Sequence, residues 1–105
     1  MQIQVNTDKH IEGREEIVAQ VEATVASSLS RFSDRITRVE IHLSDENGDK
    51  NGQNDKRCMM EARLEGRQPT AVTCEAATLD QAVAGAADKM KRSLESTLGR
   101  LGEDR

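Results

Sequence analysis

Apolar residues recur along this chain at a spacing that switches between two and three-to-four, and the order of the switches limits the possible folds more than any motif does. Ile3 and Val5 alternate with Gln2, Gln4 and Asn6, which predicts a half-buried strand. A polar connector, Thr7 to His10, follows, and Ile11 is placed to pack over the start of the next element. From Glu12 to Phe32, Ile17, Val18, Val21, Val25, Leu29 and Phe32 recur at helical spacing, giving an amphipathic helix of about five to six turns. Gly13 and the carboxylates of Glu12, Glu15 and Glu16 suit its N-terminal end, where the helix dipole is positive. Val39, Ile41 and Leu43 then alternate with Arg38, Glu40 and His42 in a second strand over about 37–44. Cys58, Met60, Ala62 and Leu64 alternate with Met59, Glu61, Arg63 and Glu65 in a third. Gly66-Arg67 turns the chain into a fourth strand carrying Val72, Cys74 and Ala76. Pro69 cannot donate to a ladder, so it belongs at that strand's beginning or on its open edge. Thr78-Leu79-Asp80-Gln81 is a capping box, and Leu79, Val83, Ala86, Met90, Leu94, Leu98 and Leu101 form the stripe of a second long helix, ended by Leu101-Gly102.

This order defines an α+β fold, β-α-β-β-β-α, as one domain over residues 1–105. A right-handed crossover through the first helix makes the first two strands parallel, and hairpins make the remaining pairs antiparallel. The expected sheet order is 1-2-3-4, with both helices on one face. On the open face fall Arg38, Glu40, His42, Glu61, Arg63 and Glu65, read as a solvated charge ladder paired across strands. The stretch 45–55 holds no apolar residue and reads as an exposed loop.

Composition narrows the chemistry. Of 105 residues 35% are hydrophobic and the one aromatic is Phe32, so the core must be aliphatic. The formal net charge of -4 lacks the positive excess of a dedicated polyanion binder. No basic stretch precedes an apolar run at the N-terminus, and no run approaches the roughly 20 residues of a membrane span. A cytoplasmic protein with no membrane partner is the expectation. Cys58 and Cys74 lack CxxC spacing and fall on the apolar faces of their strands, where a thiol packs as a small hydrophobe. If the intervening turn has three residues centred on Gly66, the two lie opposite each other. His10 in a connector and His42 on the open face do not converge with them. Nothing in the sequence therefore points to a nucleophile, a metal site, a phosphate loop, a cofactor or a small-molecule substrate, and no enzyme is expected.

Two segments carry a family resemblance. Phe32-Ser33-Asp34-Arg35-Ile36, leading into Val39-Glu40-Ile41-His42-Leu43, resembles the aromatic-(x)-Asp-Arg-Ile turn of the ribosome hibernation-promoting factor and ribosome-associated inhibitor family. Asp88-Lys89-Met90-Lys91-Arg92-Ser93-Leu94 is similar to that family's Asp-Lys-Leu-x-Arg-Gln-Leu helix. The resemblance covers nearly the whole chain and implies a fold like that of double-stranded-RNA-binding domains. It further implies a partner, the small ribosomal subunit with its 16S-type rRNA, and a role in stress or stationary phase as a translation regulator that blocks tRNA and mRNA sites. Carried over by position, Arg35, Lys89, Arg92 and Arg100 match basic family positions, and Arg31 and Lys91 add positive charge nearby. These six are the expected rRNA-binding residues. Where relatives carry lysines on the first helix this chain has Ala26, Ser27 and Ser28, and Ser96 and Leu98 also stand where relatives tend to be basic. The second reading is accordingly a non-catalytic protein-interaction module of the same fold that no longer binds ribosomes. The length matches the family's short type, without the C-terminal dimerisation domain of long members. Self-association is then a property of this domain, as a monomer or a weak homodimer.

Overall fold

The computed structural model describes residues 1–8, 11, 13–45 and 55–103. Strand β1 (Gln2–Thr7) leads to helix α1 (Arg14–Ser28) and a 3₁₀ turn (Ser30–Phe32). Strands β2 (Ile36–Asp45), β3 (Lys56–Leu64) and β4 (Thr70–Ala76) follow, and helix α2 (Leu79–Glu103) closes the domain. The four strands form one sheet in the order β1-β2-β3-β4, with β1 parallel to β2 and the other pairs antiparallel. Both helices lie on the same face, over one core made from Val21, Val25, Leu29 and Phe32, the inward residues of β2 and β3, and Val83, Met90 and Leu94 of α2. The architecture and topology are those the apolar spacing predicts.

The expected first helix is shorter and compound. Gly13, at φ 70°, occupies the left-handed conformation at the N-cap, and the α-helix stops at Ser28. The tighter 3₁₀ turn then swings Phe32 into the core, where it is 5% exposed. The second helix starts at the expected cap, with the Gln81 backbone N–H donating to the Thr78 hydroxyl at 3.1 Å. It does not end at Leu101-Gly102 but runs to Glu103, passing through Gly99 and Gly102. A helix tolerates each glycine at a cost of only about 1 kcal/mol.

Strand β2 contains a feature that alternation alone does not encode. Ile36 and Val39 are both buried although they stand three positions apart, which on a regular strand would put them on opposite faces. The register resolves this: Ile36 faces Leu64 while Arg38 faces Arg63, so Thr37 is the extra residue of a bulge. Its hydroxyl donates to the Arg63 carbonyl at 3.1 Å. The register also corrects the expected charge ladder. Like charges sit directly opposite, Arg38 beside Arg63 and Glu40 beside Glu61, and the ion pair runs along β2 from Arg38 to Glu40 at 3.0 Å. Glu65 lies beyond the end of β3.

The close contact of α2 with the sheet rests on Gly85. A Cβ at this position would stand 2.4 Å from Cys74 Sγ, so a glycine is needed for the helix to cross β4 at this distance. Cys74 faces Cys58 in the register, and both thiols are free. Gly85→Ala gains about 1 kcal/mol of helix propensity but should lose more to overpacking, about 1–3 kcal/mol. In a Cys74→Ala background the overlap is gone, and the same substitution should be neutral or stabilising. Chemical denaturation of the four proteins in this cycle reads the coupling directly.

The two ends of the 45–55 stretch are not exposed, contrary to its polar composition. Asp45 and Asp55 are each 8% exposed, and Lys56 Nζ binds both, at 3.1 and 3.2 Å. The backbone N–H of Asp45 donates to Asp8 Oδ2 at 3.2 Å. Residues 46–54 lie outside the described residues. Its hydrogen bonds to Asp45 and then Asp55 raise the pKa of Lys56 above the ordinary lysine value of 10.5. A lysine so raised contributes its stabilisation in full below its ordinary value and loses it as pH climbs through the raised one. Wild type should therefore melt above Lys56→Met at neutral pH, and the gap should close as pH passes 10.5. A gap that stays constant through alkaline pH would show that the ammonium is not what holds the two carboxylates.

Candidate nucleic-acid interface

The six basic residues expected to bind rRNA occupy different surfaces. Arg31, on the 3₁₀ turn, places its guanidinium 5.2 Å over the Phe32 ring and pairs with Glu95 of α2 at 3.9 Å. Both partners are largely exposed, so this pair adds little to stability and leaves the arginine accessible. Arg35 occupies the junction between that turn and β2. Its N–H donates to the Phe32 carbonyl at 2.8 Å, and its own carbonyl accepts from Glu65 N at 3.2 Å. The main chain is thereby fixed while the exposed side chain stays available.

On α2 the positive charges divide by helical angle. Lys91 shares a face with Glu95, four residues on, so it lies on the flank turned toward Arg31. Arg92 pairs with Asp88 at 3.0 Å, with its side chain 78% exposed. Lys89 reaches the opposite flank and donates from Nζ to the Thr73 carbonyl of β4 at 2.7 Å. It therefore caps an edge strand as well as carrying charge, one of the devices that keep open sheet edges from pairing. The side chain of Arg100 lies outside the described residues.

The structure adds a residue that sequence reasoning passed over. Arg67 and Arg35 flank one shallow recess, with Leu64, Glu65 and Leu98 as its other walls. Arg67 comes there because Gly66, at φ 73°, turns the β3–β4 hairpin back beside the 3₁₀ junction. The bulge that pairs Ile36 with Leu64 brings positions 35 and 65 together, and the sequence carries no direct signal of it. Arg31, Arg35 and Arg67 thus gather at the end of the domain where the 3₁₀ turn, the hairpin and the last third of α2 meet. Lys89 stands nine residues before Leu98, about 13 Å back along the helix at 1.5 Å per residue.

Cys58 is fully buried. Burial, and secondarily the neighbouring Cys74, push the Cys58 thiol up to about 12, so it stays a protonated thiol at neutral pH. Among the described residues no three His, Cys, Asp or Glu side chains are grouped to hold a metal ion, and His42 is exposed on the open sheet face. No described helix is long and apolar enough to cross a membrane.

Comparison with known proteins shows the family and the fold. Residues 3–101 match the family described as sigma 54 modulation protein / S30EA ribosomal protein. The chain belongs to this family, the ribosome-associated hibernation factors indicated by the Asp-Arg-Ile turn and the last helix. Among solved structures, the Protein Y N-terminal domain of Thermus thermophilus superposes with a TM-score of 0.73 at 22% identity, covering 92% of this chain and 99% of that one. A ribosomal subunit interface protein from Coxiella burnetii superposes with a TM-score of 0.66 at 15% identity, covering 94% of this chain and 99% of its own. At these identities the two likenesses show the fold. No curated protein matches the sequence.

Lys89→Met separates the two roles open to that side chain. It keeps the apolar stem but removes the bond to Thr73, and the melting free energy should fall by about 0.5–1.5 kcal/mol. An unchanged melt would free Lys89 from any part in holding β4.

Proposed function

We propose that this protein is a non-catalytic, cytoplasmic translation regulator that binds the small ribosomal subunit through its 16S-type rRNA and obstructs tRNA and mRNA sites under stress. The observation that carries this reading is the family match over residues 3–101, nearly the full chain. The fold supplies a rigid body, and occlusion needs nothing more chemically than a shape held in place by phosphate contacts.

The contact surface we assign is the end of the domain bearing Arg31, Arg35 and Arg67, continued along α2 by Lys91, Arg92 and Arg100. Arginine suits this task because its planar fork can take a phosphate through two parallel N–H bonds. The acidic first turn of α1, with Glu15 and Glu16, makes the opposite end of the domain unfavourable to a phosphate backbone. Together with the net charge of -4, this gives the molecule a polarity that orients it on a polyanion. The same net charge favours the second reading, a module of this fold that contacts protein and has left the ribosome.

Co-sedimentation with ribosomes across a salt series distinguishes them. Wild type should pellet at low salt, with binding that falls steeply as salt rises. Arg35→Glu with Arg67→Glu should abolish pelleting at low salt and leave the melting transition nearly unchanged. Single neutral replacements should each lower the log–log salt slope by about 1. Reversal at Lys91 and Arg92 tests the flank of α2 in the same way. Binding that ignores both charge reversal and salt would favour a protein contact.

A further inference from the structure

We propose that the open face of the sheet is a homodimer interface on which a second copy of this chain docks by two-fold symmetry. Both helices lie on the other face, and no described element covers this one. Its charges form rows that run across the strands. Gln2, Arg38 and Arg63 are register partners in one row, and Gln4, Glu40 and Glu61 in the next. The rows are two residues apart, about 6.6 Å along the strands.

Within one copy this pattern is unfavourable, since like charges directly opposite each other destabilise a strand pair. Only half of the quartet is satisfied internally. Arg38 reaches Glu40 at 3.0 Å and also touches the Gln4 side-chain oxygen. Glu61 and Arg63 have no side-chain hydrogen bond or ion pair among the described residues. All four line a single shallow recess.

A second copy resolves the pattern. Consider a two-fold axis in the plane between two facing sheets, perpendicular to the strands and passing between the two rows. It reverses direction along the strands, turns the face over and leaves each strand in its own lane. Arg38 then lies over Glu40 of the second copy, Arg63 over its Glu61, and the reverse contacts follow by symmetry. Such an interface is isologous, with each patch complementary to itself. No other partner is needed to explain the rows. Electrostatic complementarity of this kind sets register and specificity more than affinity.

Affinity should be low. Four strands about 4.8 Å apart and some seven residues long present on the order of 400 Å² per copy, and the summed area falls below the roughly 1,200 Å² of stable complexes. The net charge of -4 on each copy adds repulsion at long range. At physiological ionic strength that repulsion is screened beyond about 8 Å, whereas pairs in contact across the face are screened much less.

Sedimentation velocity from micromolar to millimolar protein, with a charge-swap pair, tests the proposal. Wild type should show a sedimentation coefficient that rises with concentration. The all-acidic face of Arg38→Glu/Arg63→Glu and the all-basic face of Glu40→Arg/Glu61→Arg should each remain monomeric alone. Their equimolar mixture should associate, and more tightly than wild type. A wild type that stays monomeric at millimolar concentration overturns the proposal, as does a swapped variant that dimerises alone or a mixture that does not associate. If a variant fails to fold, dilution of wild type followed by amide NMR decides the matter. Shifts confined to residues 2, 4, 38, 40, 61 and 63 support the face, and shifts confined to the helices or absent altogether overturn it.

Discussion

The distance between α2 and the sheet is the constraint on which the rest of this structure depends. With Phe32 as the single aromatic, the core has little bulk to span a wide gap between layers. Dispersion weakens steeply with a gap of even half an ångström, so an aliphatic core holds only if its layers come close. The chain meets this with small residues where helix and sheet meet: Ala82, Ala86 and Ala87 are buried, and Gly85 clears Cys74 Sγ. Met90 and Leu94, fully buried farther along the helix, complete the core. Lys89 can reach the Thr73 carbonyl, and Glu95 can meet Arg31, because the helix lies so low.

Much of this was legible in the sequence because it follows from periodicity. The switch from period two to helical spacing gives the four strands and two helices, though not the 3₁₀ turn, and the right-handed crossover and hairpins give the strand order. Even the opposition of Cys58 and Cys74 follows from a short turn at Gly66. What escaped is what periodicity averages away. A bulge adds one residue without changing the alternation on either side of it, so Thr37 leaves no mark except the odd spacing of Ile36 and Val39. That one residue sets the facing of Ile36 with Leu64, while Arg38 and Arg63 keep the register that runs back to Asp45 and Lys56. Asp45 and Asp55 look solvated by composition, yet Lys56 draws both under cover. Arg67 and Arg35 are far apart in sequence, and only the hairpin register makes them neighbours.

Charge shows how the two ends and two faces of so small a body differ. A net charge of -4 says nothing of where the fifteen Lys and Arg lie. The 3₁₀ end gathers three arginines from two segments, the first turn of α1 carries Glu15 and Glu16, and the open sheet face alternates in rows. A partner of uniform charge therefore meets an oriented object rather than an average one, and what each surface attracts follows from its local pattern. The backbone at the 3₁₀ end is tied through Arg35 to both Phe32 and Glu65. Rigid placement lowers the entropy lost when long side chains settle on a ligand.

The Lys56 clamp has a consequence for how this sheet could be altered. Because one ammonium holds both Asp45 and Asp55, the chain leaves the sheet and returns to it at two points fixed to each other, independently of what connects them. The register of β2 and β3 is then decided at the clamp and along the ladder, not by the length of the connection. Lengthening that connection twofold raises the closure entropy by only about 0.6 kcal/mol. The junction is thus a natural port: foreign sequence could be spliced between the two aspartates, displayed at one end of the sheet, while the hydrogen-bonded pairing beneath stays in step.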